Sequence, residues 1–126
     1  MKKETTIPAH VIDWTDKYFH QSTFDMPVRY PSKMVKFYLL QFKKPKQAML
    51  YRGINKYNEG NNLITSWTYD KQVASRYAQG TKGLVIKRKF SANKILLDTT
   101  MLTEVERRQL GYDYNIDDKE VLILNT

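Results

Sequence analysis

The sequence predicts an α+β domain, with helices in the first third and strands in the remainder. Two patterns carry that prediction: apolar residues recur at helical spacing before residue 47, and they gather into short runs of strand length after it. A third observation bounds it. A chain of 126 residues suits one compact domain and can bury one real core. The expected organisation is therefore a single domain over 1–126, with a helical N-terminal part over 1–47 and a strand-rich core over 48–126.

The first helix is predicted over Pro8 to Phe19. Val11, Trp14 and Tyr18 share one face, and Pro8 is acceptable in a first turn. Gln21 to Tyr30 reads as loop. A second helix starts near Pro31 and Ser32, with Ser32 as its cap. Met34, Phe37, Tyr38 and Phe42 form its apolar face, and Lys43-Lys44-Pro45-Lys46 ends it. Ala48 to Tyr51 is a short strand ending at Arg52-Gly53. Lys56 to Asn62 is a loop, and Leu63 to Trp67 a second strand. Asp70 caps a helix over Lys71 to Gln79, with Val73, Ala74 and Tyr77 inward and Gly80 as its stop. Gly83 to Phe90 and Lys94 to Asp98 are strands. Thr103-Glu104-Val105-Glu106 is a capping box opening a short helix that ends at Gly111. An aromatic loop follows to Asp117. Glu120 to Leu124 is apolar on both pleats, as befits a central strand.

Composition narrows the function classes. With 41% hydrophobic and 27% charged residues the chain is not intrinsically disordered. It has no cysteine, which excludes disulfides and thiolate chemistry and fits a reducing compartment. Met1-Lys2-Lys3-Glu4 leads into no apolar segment, so no signal peptide is expected. The apolar runs Val121–Leu124 and Ile95–Leu97 are too short to cross a membrane, and the expected location is cytoplasmic. A formal charge of +8 favours a polyanionic partner or an anionic small ligand, though it also serves solubility alone.

Three stretches place chemically capable residues beside apolar runs. Arg52 offers a planar fork of donors suited to phosphate or ribose, and Gly53 lets a ligand approach the backbone. Ser66 and Thr68 point to one face of a strand, with Trp67 on the other; Ser66 can orient a carboxylate. Asp118 and Glu120, two apart at a strand start, would share one face if the chain is extended. Two such carboxylates can divide labour, one stabilising a cationic sugar centre and the other taking a proton. Taken alone, each stretch has an ordinary structural explanation: a surface arginine with a turn glycine, hydroxyls satisfying a strand edge, a solvated acidic loop. Trp67 and Tyr69 equally suit the core.

As an ordered set, Tyr51-Arg52-Gly53, Ser66-Trp67-Thr68-Tyr69-Asp70 with its Ala74 and Tyr77-Ala78 helix, and Asp118-Lys119-Glu120-Val121-Leu122-Ile123 resemble the ADP-ribosyltransferases of the arginine-serine-glutamate branch. The resemblance covers Met49 to Leu124. It implies a small mixed or antiparallel two-sheet core with N-terminal helices packed on it, and NAD as substrate with no metal. Arg52 would contact the NAD ribose and phosphate, and Gly53 would grip the nicotinamide amide through its backbone. Ser66, Trp67 and Thr68 would belong to the nucleotide site, with Ser66 holding Glu120. Glu120 would bind the nicotinamide ribose and stabilise the oxocarbenium ion. Asp118 would activate the acceptor, and Tyr112 and Tyr114 would read the target. The implied partner is a macromolecule, a host protein or nucleic-acid machinery if the chain is a small phage or bacterial effector. The chain departs from the family in carrying Asp118 in place of glutamate, in the bulk of Trp67 and in its short length. Two other classes compete. A basic nucleic-acid-binding module is supported by Lys43-Lys44-Lys46, Lys87-Arg88-Lys89 and nine tyrosines. A catalytically inactive relative that blocks a host protein by contact is compatible with Asp118.

Overall fold

Helix α1, Ala9–Gln21, starts beside Pro8, whose carbonyl accepts from the amides of Val11 at 3.0 Å and Ile12 at 3.2 Å. The computed structural model describes residues 7–21, 30–54, 63–78, 83–110 and 118–125. Of the loop predicted from Gln21 to Tyr30, Gln21 closes α1 and 22–29 lie outside the described residues, as do the predicted loops over 56–62 and 111–117, the stop glycines Gly80 and Gly111, and the target-reading Tyr112 and Tyr114. Val11 and Tyr18 are buried on α1 and Trp14 is partly so, as helical spacing requires. Helix α2, Lys33–Leu39, is capped by Ser32, whose side chain accepts from the Val35 amide at 3.3 Å. Lys44 closes its other end by donating to the carbonyls of Leu39 and Phe42 at 2.9 and 3.0 Å. Burial at that position lowers the Lys44 pKa to about 8.

The buried face of α2 is Val35 and Leu39, with Tyr38 and Phe42 packed against the core. Met34 and Phe37, expected to face inward, are each 69% exposed. All of these residues fit a helical period. The phase is set by which stripe meets α1 and the sheet, and sequence periodicity alone leaves that open.

Among the described residues, five strands form one antiparallel sheet in the order β3-β1-β2-β5-β4. They are β1, Gln47–Ile54; β2, Ile64–Thr68; β3, Leu84–Ser91; β4, Ile95–Asp98; and β5, Glu120–Leu124. The expected two-sheet core is instead one five-stranded hydrogen-bonded series. Strand β1 pairs with β3 at every position from Gln47 to Ile54, whereas it meets β2 only at Tyr51 opposite Thr68. Strand β5 lies between β2 and β4, and its Val121 to Leu124 are buried on both faces, in keeping with an interior strand. Helix α3, Lys71–Ala78, packs across β1, and helix α4, Glu104–Gln109, opens with the expected reciprocal capping box of Thr103 and Glu106.

The sheet separates two apolar clusters. On one face α1 and α2 cover Leu122, Leu124 and Ile64. On the other, Trp67, Leu50, Phe90, Val121 and Ile123 pack together, with Trp67 and Phe90 edge to face at 4.7 Å between ring centres. Strict alternation along β2 and β5 therefore puts Ser66, Thr68 and Glu120 on the helical face and Trp67 on the opposite one.

Candidate functional site

Three sequence-predicted residues meet at one end of the sheet, where β1 and β2 finish and β5 begins. Strand β1 runs on through Arg52 and Gly53 to Ile54, so Arg52 lies within a strand and not at its end. Continuing the β1–β2 register beyond Tyr51 and Thr68 would put Gly53 opposite Ser66. That pair does not form. The Ser66 carbonyl instead accepts from Arg52 Nη1 at 2.8 Å. The Arg52 guanidinium thus ties β1 to β2 just past the end of their paired register. Burial opposes the Arg52 charge and lowers its pKa.

Ser66 is held at its other end as well. Its hydroxyl lies 2.7 Å from the Tyr18 hydroxyl, and the β2–β5 register, with Ser66 opposite Leu122 and Thr68 opposite Glu120, sets Glu120 diagonally beside it on the same face. Glu120 keeps part of its surface exposed, yet protein atoms crowd the carboxylate. That crowding raises its pKa from 4.5 to about 7; the nearby Ser66 hydroxyl lowers it and the neighbouring Asp118 charge raises it further. The Glu120 backbone is fixed from the 3-10 turn that follows β4, Thr99–Met101, where the Thr99 hydroxyl donates to the Glu120 carbonyl at 2.5 Å. Next to Thr99, buried Asp98 accepts from the Tyr69 hydroxyl at 2.6 Å and from Thr100 N at 3.0 Å.

Asp118 departs from the expected geometry. Lys119 has φ 47°, in the left-handed region that a lysine rarely occupies. The chain is not extended across it, so strand alternation does not relate the two carboxylates. Asp118 turns toward α3, where Oδ1 lies 3.7 Å from Arg76 Nη2 and Oδ2 is 3.5 Å from the Tyr77 hydroxyl. Its carbonyl accepts from Thr68 Oγ1 at 2.6 Å. Tyr77, expected inward, is 49% exposed and leans over this cluster. Burial and the Asp118 and Glu120 charges raise its pKa.

The remaining predicted residues have structural duties. Thr68 is buried, and besides donating to Asp118 its oxygen accepts from the Asp70 amide at 3.0 Å. That leaves its hydroxyl committed within the protein. Trp67 is in the core on the far face; its Nε1 donates to Thr65 Oγ1 at 2.9 Å and Arg88 stacks over its ring. The sheet thus separates it from Ser66 and Glu120. Gly53 is buried against α3, where an added Cβ would meet the Ala74 carbonyl oxygen at 1.9 Å, so its bareness serves helix packing.

Helical periodicity places Tyr18 in an apolar stripe and says nothing of its hydroxyl. A tyrosine in a stripe that phenylalanine would fill is the available signal, because a buried phenol needs a partner. Arg76 carries no comparable signal, since its role depends on the turn at Lys119. No group of three or more histidine, aspartate or glutamate side chains among the described residues is placed to hold a metal ion. No helix among them is long and apolar enough to cross a membrane. No protein-family profile, curated protein or solved structure matches the chain.

Proposed function

We propose that this protein is a mono-ADP-ribosyltransferase that cleaves NAD and passes ADP-ribose to a macromolecule. The reading is carried by one observation: Arg52, Ser66 and Glu120, from three strands, come together, with the Arg52 guanidinium on the Ser66 carbonyl and Glu120 diagonal to Ser66 on the same face of the β2–β5 pair. The donor chemistry suits the substrate. A guanidinium matches a pyrophosphate, and a carboxylate suits a ribose hydroxyl beside a developing cation.

Nicotinamide in NAD is a cationic leaving group and needs no general acid. The bond between the ribose C1′ and the pyridine nitrogen breaks, and its electron pair neutralises the ring. C1′ becomes an oxocarbenium ion, which ionised Glu120 stabilises. A nucleophile on the target then attacks C1′, and its proton passes to a base, for which Asp118 is the candidate. This is glycoside cleavage with nitrogen as the leaving atom. One preorganised contact of this kind is worth on the order of 3 kcal/mol, about a hundredfold in rate. Glu120→Gln should therefore reduce nicotinamide release from NAD by about a hundredfold or more. Because only the ionised carboxylate stabilises the cation, kcat/KM for NAD should rise with pH and level off above about 7. Purified protein that neither binds NAD nor labels any protein or nucleic acid in a lysate would refute the enzyme reading.

A second reading rests on edge strand β3, where Lys87, Arg88 and Lys89 are exposed in sequence and Lys87 lies over the Tyr51 ring. Such a strand suits a phosphate backbone. Nucleic-acid binding that needs no NAD, weakens steeply with salt and is unchanged in Glu120→Gln would favour it.

A further inference from the structure

The Tyr18 hydroxyl reaches the sheet from α1, the opposite end of the chain from Glu120, and sits 2.7 Å from Ser66 Oγ. Either oxygen can donate across that distance, and the state of Glu120 chooses between them. Ser66 carries one hydroxyl proton. Ser66 and Glu120 lie on one face of the β2–β5 pair, one register step apart, so an ionised Glu120, which can only accept, offers that proton an acceptor and leaves the Ser66 oxygen to accept from Tyr18. The backbone side of Ser66 is already occupied by Arg52. We propose that Tyr18 is a positioning residue of the site: by donating to Ser66 it directs the single Ser66 proton onto the Glu120 carboxylate. A chain of donors ending on a charge strengthens link by link, so the phenol stabilises ionised Glu120 without touching it.

The surroundings of Glu120 are consistent with that role. Asp118 from the preceding turn and Tyr77 from α3 also face it, and Arg52 from β1 faces Tyr18. Asp118 opposes ionisation of Glu120, and the nearby Ser66 hydroxyl favours it. Tyr18 itself is almost wholly buried, stacked on Trp14 at 5.4 Å and edge-on to Phe19 at 5.8 Å. Burial holds its own pKa far above the usual phenol range, so it remains a proton donor at all working pH.

The inference deepens the enzyme reading, but its test uses NAD-free protein and stands apart from it. The Glu120 side-chain carboxyl is followed by carbon NMR against pH in the wild type, Tyr18→Phe, Ser66→Ala and the double variant, with Glu120→Gln identifying the signal. Tyr18→Phe removes one oxygen and keeps the ring contacts. It should raise the Glu120 midpoint by about half a unit, roughly threefold in acidity constant. The same change in the Ser66→Ala background should have no effect. An unmoved midpoint in Tyr18→Phe, or a shift that persists without the Ser66 hydroxyl, overturns the proposal. Should Tyr18→Phe fail to fold, the wild-type ring is the second readout. Its Cζ signal must follow Glu120 ionisation in wild type and cease to do so in Ser66→Ala; a signal indifferent to Glu120 also overturns it. If the relay is found and no nicotinamide is released, the enzyme reading fails and the relay stands.

Discussion

Glu120 carries the main consequence at the scale of single residues. Its pKa is about 7 in the folded chain against 4.5 for the free side chain. A carboxyl that holds its proton more tightly when folded adds stability below the unfolded value and loses it as pH rises through the folded one. Wild type should therefore lose stability relative to Glu120→Gln between pH 4.5 and about 7, with a constant difference above that window. Denaturant midpoints of the two proteins across that range check it, and a difference independent of pH refutes it. Arg52, Ser66 and Glu120 are legible as candidates because each residue type has few uses beside an apolar run. The turn of Asp118 toward Arg76 is not. It depends on the left-handed Lys119, and a lysine announces no such conformation.

The elements respond to where neighbours press upon them. Gly53 is required for space: the Ala74 carbonyl and the Ala78 amide, at 1.9 and 3.0 Å from an added Cβ, are backbone of α3 and cannot rotate aside. Gly53→Ala should destabilise the protein by roughly 1–3 kcal/mol through a displaced α3, measured by chemical denaturation. A neutral effect would mean that α3 is free to shift. Capping at Ser32, Asp70 and Thr103 is readable because it depends on residues within three positions of each helix start. The inward phase of α2 is not, because Met34 and Phe37 are as apolar as Val35 and Leu39. What lies opposite decides which pair is covered.

For the whole molecule, β5 is the axis. Leu122 is fully buried in an interior strand beneath the helical layer. Leu122→Ala should cost about 2–5 kcal/mol, readable as a lowered denaturation midpoint. By contrast, replacing Lys87, Arg88 and Lys89 on the exposed edge by glutamine should change stability by no more than about 0.5 kcal/mol per site. If those side chains meet phosphates, the triple variant also flattens the salt dependence of nucleic-acid binding, by about one unit of slope for each phosphate that the variant no longer neutralises. An unchanged slope removes that surface from consideration.

Local chemistry is enough to place most helices and strands within a few residues, because caps, turns and periodicity act over one or two turns of chain. It is also enough to select the arginine, the serine and the glutamate. Long-range packing alone brings Tyr18 to Ser66, opens β1 from β2 so that Arg52 reaches a strand carbonyl, and turns Asp118 away from the strand direction. Those interactions join segments distant along the chain, and their energies depend on burial that no local pattern encodes.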